Sequence, residues 1–255
     1  MATRSPRAPL TAFVLHHYDW SESSVILDLF TREQGRLAVA AKGAKKPHSN
    51  FRSVLLPFQR LHVSLSGAAA KDESSNSDVQ NLRGAEWAGG AAMLTGTALF
   101  SGFYLNELLM KLLARHDPHE ALFDAYALTL PELAFNDEAR VEAALRAFEL
   151  TLLQQTGLLP DLSLVTLTQA AVRVERRYGL SGEAGVCADG EIAGATLIEL
   201  QAALLHGSLP ALHQACRQAL PELKTALRGM IQQHLGSATL RTRRVMMDVQ
   251  SLSGP

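Results

Sequence analysis

The chain has 255 residues, 47% hydrophobic and 19% charged, with a formal net charge of −1. These totals exclude global disorder and suffice for one large or two modest domains. The two cysteines, Cys187 and Cys216, stand outside any Cys-x-x-Cys pair, which excludes a disulfide framework and an all-cysteine zinc cage and points to a reducing, cytoplasmic setting.

The first stretch, MATRSPRAPLTAF, contains no apolar run of the kind a secretory leader needs. Residues 10–67 read as β structure. Thr11 to Leu15 predicts a short strand, and SSVILDLF a second, with Val25, Leu27 and Leu29 on one face and Asp28 on the other. TREQG is a hairpin connection whose Gly35 accepts positive φ. RLAVAA returns as a third strand, and KGAKKPHSN is a loop by composition. Leu61, Val63 and Leu65 alternate with His62 and Ser64 in a fourth strand after Pro57. AAAKDESSNSD (68–78) reads as a mobile polar loop, and Val79 to Arg83 as a fifth strand. Five short strands in so few residues suit a small barrel of the oligonucleotide-binding (OB) type.

From Glu86 the hydrophobic period becomes helical. Trp87 to Asn106 has no charged residue, but its glycines and polar residues favour a buried helix over a membrane span. Asn106 to His116 places Leu108, Leu109, Leu112 and Leu113 at helical spacing. Asp117-Pro118-His119-Glu120 predicts a helix start with Asp117 as N-cap, followed by an apolar face of Leu122, Phe123, Tyr126 and Leu130. Pro131 ends or kinks that helix. Asn136-Asp137-Glu138 opens another, with Val141, Leu145, Phe148 and Leu152 inward and Gly157 as its stop. Residues 161–190 are poorly patterned, with a candidate strand at Val172 to Tyr178. Thr196 to His206, Pro210 to Ala219 and Pro221 to His234 read as helices, the last with Leu223, Leu227, Met230 and Ile231 buried and Gly236 as its stop.

Charge is uneven. Arg32, Arg36, Lys42, Lys45, Lys46, Arg52 and Arg60 share one short β-rich segment with a single acid, Glu33, whereas residues 81–236 are net acidic. Such a patch is the electrostatic footprint of a nucleic-acid binder, and equally a common property of solvated loops. Phe51 and Tyr18 are candidates to stack on bases or to pack in the core, and Trp20 is expected to pack against the barrel. Arg241, Arg243 and Arg244 form a second basic cluster, read either as helix-dipole complement or as further DNA surface. Arg146, placed on the polar side of its helix, has intrahelical partners in Glu142 and Glu149. No phosphate loop, H-E-x-x-H pair or G-x-S-x-G elbow occurs, so an enzyme is not expected. The adjacent His16 and His17 are expected on opposite faces of a strand, unable to share a metal.

Four runs together resemble the bacterial recombination-mediator family RecO. They are AFVLHHYDWSESSVILDLFTREQGRLAVAAKGAKKPHSNFRSVLLPF, SGFYLNELLMKLL, LRAFELTLLQQTG and HLGSATLRTRRV, in that order. The resemblance implies an α+β chain, with a five-stranded OB barrel (residues 1–84) followed by a mainly helical domain (85–255) ending in a helical tail. It implies binding of single- and double-stranded DNA, annealing of complementary strands and, with RecR, recombinase loading on DNA covered by single-stranded-DNA-binding protein, in the cytoplasm at the nucleoid. The DNA-contact residues it implies are Arg36, Lys42, Lys45, Lys46, Phe51, Arg52 and Arg60, joined by Arg241, Arg243 and Arg244. Arg146, with Leu109, Phe123 and Tyr126, becomes a candidate grip for the Phe-ended tail of single-stranded-DNA-binding protein. Many family members carry a cysteine zinc cluster after the helical core. Here residues 158–190 lack it, so no metal or other cofactor is implied. The competing reading is an interaction scaffold whose barrel is structural.

Overall fold

The computed structural model describes residues 8–66, 79–90, 93–236 and 240–245 except 243. They divide into two compact units: residues up to Leu94 with Leu105–Phe123, and Thr95–Tyr104 with the residues from Asp124 onward. The polar loop expected at 68–78 lies outside the described residues.

In the first unit, β1 (Leu10–Asp19), β2 (Val25–Thr31), β3 (Gly35–Ala41), β4 (Gln59–Leu65) and β5 (Gln80–Gly90) close a barrel in the order β1-β2-β3-β5-β4. Neighbours are antiparallel except β3 and β5, the mixed pattern of an OB barrel. A four-residue helix, α1 (Phe51–Val54), lies in the connection between β3 and β4. The alternating apolar residues meet inside: Val14, Leu27, Leu29, Leu37, Val39, Leu61 and Val63 are all at most 1% exposed.

The outer face of β2 and β3 is buried too. All of β3 is buried, and Asp28, read from its alternation as a surface residue, is only 1% exposed. The cover comes from α2 (Gly96–Leu112) and the start of α3 (Glu120–Glu132). Phe123 packs its ring 5.2 Å from Phe13 and 5.3 Å from Phe30, and the Asn106 side-chain amide donates to the Leu15 carbonyl (2.9 Å). Burying a ring such as Phe123 contributes about 1.5–3 kcal/mol. Gly35 turns the β2–β3 hairpin at φ +69°, and a Cβ there would stand 2.0 Å from the Asp117 carbonyl oxygen.

Three expectations in this region change. β5 runs on to Gly90, so Glu86 and Trp87 are strand residues opposite His62 and Leu61, and the helix begins only at Gly96. The ladder with β4 outweighs the weak local helical pattern. α3 opens at Glu120, where Phe123 N–H donates to the His119 carbonyl (2.9 Å), so Asp117 is not its N-cap. The third concerns Arg36, described with the candidate site.

In the second unit, α4 (Glu138–Gln155) is buried around much of its circumference. Asp137 caps it by accepting from Arg140 N–H (3.1 Å), as its sequence predicts. Phe148 and Leu152 of the expected stripe are buried, while Val141 and Leu145 are half-buried. α5 (Gly194–Leu205), α6 (Leu209–Cys216), a 3-10 turn (Arg217–Ala219) and α7 (Leu220–Leu235) follow. The buried face of α7 is Leu223, Leu227, Met230 and Ile231, with Gly236 at φ +70° after it. The poorly patterned stretch contributes β6 (Arg177–Ser181) and β7 (Gly185–Ala188) to an antiparallel sheet completed by β8 (Ile192–Ala193), ordered β7-β6-β8. The strand read at Val172 to Tyr178 therefore starts only at Arg177. Its partners are short and glycine-flanked, which hides them from any periodicity test.

Candidate nucleic-acid interface

β1 changes character halfway. Ala12 to Leu15 are buried, whereas His16 to Trp20 are exposed. The register against β2 shifts between Val14 and His16, a bulge of the kind that re-aims side chains at barrel rims. The His16 and His17 rings lie 5.9 Å apart at 19°, closer than opposite-face placement suggested, and among the described residues no cluster of three or more His, Cys, Asp or Glu is placed to hold a metal ion.

The β1–β2 loop folds on itself and onto the loop after β3. Trp20 and Ser21 N–H both donate to the Ser24 carbonyl (3.2 Å each), and Gly43 N–H donates to Ser24 Oγ (3.2 Å). Lys45 N–H donates to the Ser23 carbonyl (3.0 Å), and its Nζ donates to the Ser21 carbonyl (3.0 Å). Between the two loops lies an open cleft of about 420 Å³, lined by Trp20, Ser21, Ser23, Ser24, Lys42, Gly43 and Lys46. Gly43 takes φ +75°, and Lys46 N–H donates to its carbonyl (3.1 Å), which turns the lysine loop back over the strand end.

Lys42 and Lys46 are exposed, and neither is in an ion pair among the described residues. Lys45 differs: its Nζ lies 2.7 Å from Asp19. That hydrogen bond and charge hold the Asp19 carboxyl below its ordinary range. The cleft is therefore polar, cationic and bordered by Trp20, which is 55% exposed and not packed against the barrel as expected. Sequence reasoning missed Trp20 and the three serines. The signal was the turn chemistry of YDWSES between two strands, since OB folds use the loop after the first strand for ligands.

The remaining candidates are scattered. Arg36 is 8% exposed, and its Nε and Nη2 bind both oxygens of Asp28 (3.1 and 2.9 Å). Its Nη1 donates to the carbonyls of Met110 and Leu113 (2.8 Å to Leu113), closing the C-terminus of α2. Its donors are thus committed inside the unit, away from any phosphate. Phe51 is half-buried and packs against the barrel core. Arg52 is exposed on α1, and Arg60 is half-buried on β4. In the second unit Arg241 and Arg244 are exposed, and Arg243 lies outside the described residues.

The four residues expected to hold a partner's tail are buried. Leu109 and Phe123 belong to the core of the first unit, and Tyr126 and Arg146 to that of the second. Arg146 is not on a polar helix face: its Nη2 lies 2.7 Å from Glu149, which is 0% exposed and also accepts from Tyr104 OH (2.6 Å). Arg146 Nε and Glu149 Oε2 have no hydrogen-bond partner among the described residues. Burial pushes the Glu149 carboxyl up against the opposing pull of Arg146 and Tyr104. Glu142, the other expected partner, pairs with Lys224.

Fold and rim together define an OB-barrel protein with a cationic, aromatic-edged cleft, joined to a mainly helical region. Residues 8–83 match the family model "Recombination protein O N terminal", and residues 93–244 match "Recombination protein O C terminal". The chain is 50% identical to the DNA repair protein RecO of Verminephrobacter eiseniae, over 99% of this chain and 100% of that one. It is also 50% identical to that of Polaromonas naphthalenivorans, over 94% and 96%. The chain belongs to the RecO family of DNA-repair proteins, recombination mediators rather than enzymes. No helix among the described residues is long and apolar enough to cross a membrane.

Proposed function

We propose that this protein binds single- and double-stranded DNA through its barrel rim, anneals complementary strands and, with RecR, promotes recombinase loading on DNA covered by single-stranded-DNA-binding protein. The cytoplasm, at the nucleoid, is its proposed place of work. The observation that carries the reading is the cleft between the β1–β2 and post-β3 loops, where exposed Lys42 and Lys46 stand beside Trp20. Exposed lysines neutralise phosphates without reading sequence. Neutralising two strands at once lowers their mutual repulsion, and loose contacts leave their bases free to search for register. No bound nucleotide or metal is needed for this.

Arg52 and Arg60 are further proposed DNA contacts on the first unit, and Arg241, Arg243 and Arg244 are proposed contacts on the second. Arg36 is left out because its guanidinium is engaged with Asp28 and α2. Docking of the tail of single-stranded-DNA-binding protein is proposed for the helical region. For Arg146 to grip the terminal carboxylate, that carboxylate must replace Glu149 as its partner.

The test is fluorescence anisotropy of a labelled single strand, titrated with protein at several salt concentrations. Affinity should fall log-linearly with salt. In Lys42→Glu, Lys46→Glu protein the slope should shrink by about 1.4, roughly 0.7 for each lost phosphate contact. Flat anisotropy at low salt would reject the proposal and leave the scaffold reading.

A further inference from the structure

Beside the lysine cleft lies a feature that phosphate binding does not use. Four of the five residues from His16 to Trp20 carry rings, and all five are exposed. Tyr18 is 48% and Trp20 55% exposed. His16 and Tyr18 belong to β1, and Trp20 follows its last residue, Asp19. The His16 ring meets Tyr18 edge-on, with centroids 4.5 Å apart at 75°, and so buttresses it. Trp20 is fixed by its N–H bond to the Ser24 carbonyl and borders the cleft of Lys42 and Lys46. The one acid within this run, Asp19, is paired with Lys45.

We infer that Tyr18 and Trp20 form a stacking ridge for unpaired bases, which makes the rim favour single-stranded over double-stranded DNA. This rests on the DNA-binding reading of the same cleft and adds the chemical selectivity of the site. Every base has a π face, so aromatic stacking tolerates any sequence, but it requires that face to be free. Bases stacked and paired within a duplex do not offer that face; those of an extended single strand do. Its phosphates then run along the cleft, where Lys42 and Lys46 meet them. Free base faces beside phosphates match exposed rings beside Lys42 and Lys46, so the occupant is a single strand of DNA.

The experiment measures anisotropy with the full-length chain against three labelled probes of equal length: oligothymidylate, an abasic deoxyribose-phosphate strand, and a duplex. Trp20→Ala should weaken oligothymidylate binding roughly tenfold, the order expected for one lost base stack, and leave the abasic strand and the duplex unchanged. Trp20→Phe should restore most of the loss. Because Trp20 is largely exposed, its removal should not alter the melting temperature, which is checked in parallel. A second readout uses Trp87→Phe protein, in which Trp20 is the remaining tryptophan. Its fluorescence should be quenched by oligothymidylate and not by the abasic strand. Equal losses on all three probes, or no loss, would overturn the ridge while leaving phosphate binding standing. Wild-type protein that binds none of the three would overturn the DNA-binding reading and the ridge with it.

Discussion

Arg36 shows how residue type and residue role separate. In sequence it is one of seven cations on a basic segment, indistinguishable from Lys42 or Arg52. In the fold it is the bidentate partner of a carboxylate that is 1% exposed, and it also closes the end of α2. Removing one member of such a pair leaves the other charge buried without compensation, at about 3–5 kcal/mol. Arg36→Ala should therefore lower stability by that order in denaturant melts. Whatever fraction remains folded should bind DNA with unchanged salt dependence. A fully stable Arg36→Ala protein with a shallower salt slope would show that Arg36 meets phosphate after all. Asp28 and Arg36 lie on the barrel face that strand alternation marks as polar, and a helix distant in sequence covers that face.

The β2–β3 hairpin and its contact with the segment before α3 illustrate the element scale. TREQG correctly signalled a turn ending on a glycine, because positive φ costs other residues strain. The sequence did not signal the second reason for glycine at 35: the Asp117 backbone sits where a Cβ would go. Arg36 and Arg115 form a parallel bridge beside it, and His116 N–H donates to the Arg36 carbonyl (3.0 Å). Gly35→Ala should destabilise by more than the ~1 kcal/mol of a strained φ alone, since backbone must also move. Amide exchange should speed up both at the hairpin and around Asp117. Exchange confined to the hairpin would mean that the contact contributes nothing. Elements governed by local chemistry, such as the Asp137 cap and the apolar face of α7, were legible from their residues. β5 and the β6–β8 sheet were not, because pairing with a partner strand decides them.

At the scale of the molecule, two buried ion pairs mark the two units: Asp28–Arg36 in the first and Glu149–Arg146 in the second. Glu149 gives the second a distinctive pH signature. Its carboxyl is raised above the ordinary value of 4.5, so the folded state holds the proton more tightly than the unfolded state. Its contribution is complete below that ordinary value and is lost as pH rises through the folded one. The melting temperature of the wild type, taken relative to Glu149→Gln, should fall as pH rises from about 4.5 towards neutrality. Taking the difference cancels groups of opposite sign, such as Glu132, whose carboxyl a hydrogen bond from Arg140 holds low. A difference that stays flat across that range would mean that Glu149 is ionised with its ordinary affinity for protons.

From its residues alone the chain specified a five-stranded barrel followed by helices, several helix caps, a lysine loop and membership of a repair family. Alternation, capping and motif order are local properties, written wherever neighbouring residues interact. Tertiary structure alone decided that Arg36 and Arg146 are buried, that Phe51 packs on the core, and that Trp20 stands out beside Lys42 and Lys46. Exposure depends on which distant segment covers a face, and no period of two or 3.6 residues encodes that.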